Sequence, residues 1–102
     1  MNIAVIGDYA SPQYHDLLQI VKVAFPEDKI LDLSVHQAGD YKTREKARQK
    51  DIKSAFVYVF DQKWEESTEI RQDITYAQQA GLNGYLYSAG QFKAPVGINH
   101  EL

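Results

Sequence analysis

Residues 55–60 read AFVYVF, six positions without a polar side chain. Successive side chains of an extended chain point to opposite faces, and this run alternates aromatic and β-branched residues without a polar break. That composition makes it the plainest strand in the chain, expected to be central in its sheet. A second run, NIAVIG at residues 2–7, is β-branched and apolar, closes on Gly7, and is expected to be buried on both faces.

Segments of a different period separate these runs. In SPQYHDLLQIVKVAF, Ser11 suits an N-cap and Pro12 the first helical position, while Leu17, Ile20, Val21 and Ala24 recur at helical spacing and Pro26 stops the helix. KILDLS is a second short strand. From about Asp40 to Lys53 a charged segment with Ala47 and Ile52 as its few apolar anchors reads as a helix. After a loop containing Trp64, residues 67–80 form a third helix with Ile70, Ile74 and Ala77 on one face, and NGYLYS is a fourth strand. Residues 89–102, with Gly90, Pro95 and Gly97, have no room for a full helix and read as a tail with a short extended piece at APVGI. Strand and helix thus alternate within a single domain spanning residues 1–102. The pattern is that of a flavodoxin-like or Rossmann-like three-layer sandwich, with a parallel sheet of four strands, or five if the tail adds one.

Composition narrows the function. Apolar residues at 44% and charged residues at 25% belong to a globular chain rather than a disordered one. The absence of cysteine removes disulfides, thiolate nucleophiles and Cys-based zinc sites. His15, His36 and His100 lack the i, i+4 spacing of metal ligands, so no metal and no cofactor are expected. No Gly-x-Ser-x-Gly elbow is present, which sets serine catalysis aside. The N-terminal MNIAVIGDYASP reads as a strand rather than a secretory signal, and no apolar stretch approaches membrane-spanning length, so a cytoplasmic location without membrane contact is expected. A formal net charge of -3 gives no reason to expect a nucleic acid polymer. The cluster Lys42, Arg44, Lys46, Arg48, Lys50 and Lys53 reads as a solvated helix face.

In parallel sheets ligands bind beyond the carboxyl ends of the strands, where strand order reverses. Residues 7–11, 34–40 and 61–73 are therefore the candidate site. GDYASP leads into a helix N-terminus whose N–H groups and dipole favour an anion, with Gly7 and Ser11 at its turn. One glycine is too few for a dinucleotide loop, and no P-loop lysine follows. Asp8 and Tyr9 either hydrogen-bond a sugar or base, or form a turn Asp beside a packed Tyr. Of the acids from Asp61 onward, Glu65 and Glu66 read as dipole-satisfying charges. Asp73, one turn beyond Glu69 and bordering the apolar stripe, is partly desolvated, a setting that raises a carboxyl pKa.

Asp73-Ile74-Thr75-Tyr76-Ala77 followed by Gly81 and GYLYS, the lead-in DIKSAFVYVF and the Gly7 loop together resemble the nucleoside 2-deoxyribosyltransferase family and its 2'-deoxynucleoside 5'-phosphate N-glycosidase relatives. The resemblance implies cleavage of an N-glycosidic bond, or deoxyribosyl transfer, through a carboxylate nucleophile. It assigns that role to Asp73, with Glu69 as the competing position, and offers Asp8 or Asp61 as the acid for the departing base. Tyr9 would orient the sugar or nucleophile, Ser67 and Ser11 would contact substrate, and Arg48 would meet a 5'-phosphate or remain a solvated charge. A nucleoside or nucleotide substrate and a homo-oligomer are implied, with Phe92, Val96 and Ile98 in the subunit contact. Asp73 stands where the family carries Glu, Thr75 where it carries Gly and Arg48 where it carries Asp. These substitutions favour an alternative, a non-catalytic nucleotide- or small-ligand-binding module. A third reading is a signalling receiver, with Asp8, Asp61 and Ser88 at strand ends, but Lys93 follows Ser88 too soon for its architecture.

Overall fold

The computed structural model describes residues 1–93. Its elements are β1 (Asn2–Ile6), α1 (Pro12–Ala24), β2 (Lys29–Asp32), α2 (Tyr41–Lys53), β3 (Val57–Asp61), α3 (Thr68–Gln79), β4 (Asn83–Ser88) and β5 (Gln91–Lys93), with short 3₁₀ turns at Leu33–Val35 and Gln62–Glu66. The sheet order is β2-β1-β3-β4-β5. The run AFVYVF supplies the middle strand, whose Tyr58, Val59 and Phe60 are fully buried. In β1, Ile3 to Ile6 are likewise buried. The extended APVGI piece expected in the tail, and Val96 and Ile98 with it, lie outside the described residues.

β1 to β4 pair in parallel, whereas β5 runs antiparallel to β4. The sheet is thus five-stranded and mixed, not parallel throughout. The reason is the length of the last connection. Only Ala89 and Gly90 separate β4 from β5, and a parallel return needs a crossover of about a dozen residues. Both turn residues take positive φ, 52° at Ala89 and 77° at Gly90. That is the backbone of a tight hairpin turn matched to strand twist. Phe92 of β5 packs edge-on against Phe25 with ring centroids 5.4 Å apart, and against Tyr87 at 5.1 Å. Half-buried Phe92 is thus packed within the chain.

Each helix begins at a polar cap, and α1 and α3 present apolar stripes. Ser11 caps α1, whose buried residues are Tyr14, Leu17, Leu18 and Val21. The stripe runs earlier than the expected Leu17, Ile20, Val21 and Ala24, because Tyr14 reaches the sheet and donates its hydroxyl to the Val5 carbonyl (2.9 Å). Asp40 caps α2 and Ser67 caps α3. Burial of Ile70 and Ile74 seats α3, each contributing about 1.5–3 kcal/mol. On α2 the buried positions are Ile52 and, against expectation, Arg48. At Gly84 a β-carbon would come within 2.2 Å of the Tyr58 ring, so the glycine in β4 is what lets that tyrosine lie flat across the sheet. Among the described residues, no helix is long and apolar enough to cross a membrane.

Candidate functional site

β1 has β2 on one side and β3 on the other, so the loops leaving β1 and β3 diverge and leave a crevice between them. A cavity of about 610 Å³ occupies this position. Asp8 and Ser11 line it from the β1–α1 loop, Asp61 and Lys63 from the end of β3, and Glu66, Ser67 and Ile70 from the entry to α3. The volume falls in the range of small-molecule sites. None of residues 34–40, expected to contribute, lines it.

The expected site residues divide into two groups. Asp8, Ser11, Asp61 and Ser67 face the cavity, while Tyr9, Arg48, Glu69 and Asp73 meet beside it and none of them lines it. Tyr9 Oη donates to Asp73 Oδ2 at 2.8 Å, and Arg48 Nε donates to the same oxygen at 2.9 Å. Arg48 Nη2 lies 2.8 Å from Glu69 Oε1 without an aligned hydrogen bond, and the guanidinium stacks 4.9 Å over the Tyr9 ring. Asp73 is 0% and Arg48 1% exposed, so Arg48 is neither a solvated helix charge nor an arm held out for phosphate. It is the counter-ion of a buried carboxylate. Burial was expected to be partial at Asp73 and is complete.

Desolvation pushes the Asp73 carboxyl above the ordinary aspartate value, although Arg48 and Tyr9 oppose it. The Tyr9 hydroxyl is pushed far up by burial and then by the Asp73 charge. A phenol held this firmly protonated is a permanent donor to Asp73. For Asp73 to attack an anomeric carbon, that carbon must approach to about 3–3.5 Å. Oδ2 is taken by two donors, and Oδ1, though free of hydrogen bonds, is closed to solvent. In this arrangement Asp73 ties α2, α3 and the β1 loop together.

Gly7 acts through packing. A β-carbon there would sit 3.1 Å from Tyr14 Cδ1, so the glycine makes room for that ring and not for a pyrophosphate. Tyr14 itself is a site residue that sequence reasoning missed. Its hydroxyl accepts from the Leu33 N–H (3.0 Å) while donating to Val5, which fixes the cavity wall contributed by α1. Lys63 and Glu66 were missed too. A Lys two residues beyond a strand end is a signal the sequence carried, but its direction depends on the 3₁₀ turn at Gln62–Glu66.

The receiver arrangement does not assemble. Ser88 Oγ donates to Gln62 Oε1 at 2.8 Å, and Lys93 pairs with Leu86 in the hairpin, two residues back from the strand end. Of the histidines, His36 pairs with Asp51 and His15 packs edge-on to Tyr14, while His100 lies outside the described residues. Among the described residues, no group of three or more His, Cys, Asp or Glu side chains is placed to hold a metal ion. No protein-family model matches the chain, and neither a curated protein nor a solved structure matches it significantly.

Proposed function

We propose that this chain is a small-ligand-binding α/β module of flavodoxin-like strand order, which holds a nucleoside- or nucleotide-sized molecule in the cavity between the β1 and β3 loops. The observation that carries the reading is the division of the site. The polar groups open to a ligand are Asp8, Ser11, Asp61, Lys63, Glu66 and Ser67, whereas the carboxylate suited to nucleophilic attack is neutralised by Arg48 and sealed. The resemblance to the deoxyribosyltransferases supplies the ligand class, and the three substituted positions of that resemblance agree with binding without turnover.

One observation favours the second reading, glycosyl transfer through Asp73. Tyr9 and Asp73 are 64 residues apart in the chain yet joined by a buried hydrogen bond, as a tyrosine that orients a nucleophile would be. That reading requires Arg48 to leave Asp73 when substrate enters. Calorimetric titration with a panel of deoxynucleosides and their 5'-monophosphates, with chromatography of the same mixtures, separates the two. Heat of binding with no free base supports the module. Free base that disappears in Asp73→Asn but persists in Glu69→Gln would replace it with the enzyme.

A further inference from the structure

Helix N-termini beside a cavity ordinarily attract phosphate, because the first N–H groups of a helix lack intrahelical acceptors. At α1 those donors are already spent. Pro12 has no N–H, the Gln13 N–H goes to Ser11 Oγ (3.1 Å), the Tyr14 N–H to the Ser11 carbonyl (3.0 Å) and the Ser11 N–H to the Asp8 carbonyl (2.9 Å). Among the described residues Lys63 is the one cation on the cavity wall, and one of its three N–H donors is directed to Gln13 Oε1 at 3.0 Å.

The acceptors, by contrast, are open. Among the described residues the Asp8 and Glu66 carboxylates make no hydrogen bond or ion pair, and Asp61 uses only Oδ1, on the Lys63 N–H at 3.0 Å. Three carboxylates thus face the cavity against one ammonium. The Ser11 and Ser67 hydroxyls accept from their own helices, at Gln13 and Ile70, and keep their protons for a ligand. A wall of this kind satisfies hydroxyl and amino donors, and it repels a phosphate monoester carrying about -1.5 to -2 charge at neutral pH.

We infer that the cavity takes a neutral or cationic, hydroxyl-bearing ligand of nucleoside size and rejects the 5'-phosphorylated form of the same ligand. The inference rests on the binding-module reading and adds to it a choice of ligand class, opposite to the anion that the α1 terminus suggested from sequence.

The test is calorimetry at low ionic strength with matched deoxynucleosides and 5'-monophosphates, on the parent protein and on Glu66→Gln and Asp61→Asn. The parent should bind the nucleosides at least about tenfold more tightly than the monophosphates. Each neutralised carboxylate should raise the affinity for the monophosphate relative to that for the nucleoside by roughly tenfold. Equal or tighter monophosphate binding by the parent would overturn the inference and leave the module standing. So would a preference unchanged in both variants. If neither class binds to protein shown to be folded by circular dichroism, both readings fall.

Discussion

Arg48 and Asp73 illustrate how a charge in the interior is held by its partners. Truncating one member leaves the other buried and uncompensated, which costs about 3–5 kcal/mol, whereas replacing both with apolar residues of similar volume is often close to neutral. Arg48→Ala should therefore lower the denaturation midpoint sharply, and Arg48→Met with Asp73→Leu should recover most of the loss, as urea unfolding would measure. The pH dependence has a definite sign. Because the Asp73 carboxyl is raised in the folded state, the native protein binds that proton more readily than the unfolded chain. Its contribution is fully present below the unfolded value of about 3.9 and is lost as pH rises through the folded value. The stability of the parent relative to Asp73→Asn should accordingly fall as pH rises through that window. A relative stability that rises there would contradict the direction. Neither partnership was visible in the sequence. Arg48 reaches Asp73 across 25 residues and Tyr9 reaches it across 64, and a lysine- and arginine-rich helix gives no local sign of which cation turns inward.

Among the elements, the strands were the legible part. AFVYVF and NIAVIG carry their apolar character in their own side chains and both occupy the sheet interior, although Phe56 at the start of the first run is 65% exposed. β5 was not legible, because a three-residue strand has no period to read and its turn places an alanine where glycine or asparagine is usual. Ala89→Asn should relieve that left-handed strain and raise stability by about 0.5–1 kcal/mol, seen as a higher unfolding temperature. In β4 the opposite holds. Gly84→Ala would drive a methyl group into the Tyr58 ring and should cost about 1–3 kcal/mol. Trimming the ring with Tyr58→Val in the same chain should return part of that loss, a non-additivity that a double-mutant cycle would expose.

At the scale of the molecule, among the described residues one hydrophobic core spans the sheet, and strand burial decreases from β1 and β3 toward β5. Amide hydrogen exchange should follow that gradient. Val5, Val59 and Phe60 should exchange only with global unfolding, while the β5 amides exchange through local opening at lower free energy. Uniform protection through β5 would show that the hairpin belongs to the same cooperative unit. The position of the cavity between the β1 and β3 loops was legible at this scale, since it follows from the reversal of strand order there. Asp8 and Asp61 were expected there, whereas the opening of Glu66 into it was not legible, because that depends on the turn of a single 3₁₀ segment.

The buried bond between α2 and α3 also constrains the descent of this chain. A lineage that loses the guanidinium strands the carboxylate, and one that loses the carboxylate strands the guanidinium, so either single step passes through an unstable ancestor. Positions 48 and 73 should consequently drift as a couple, and descendants are expected to retain both charges or neither.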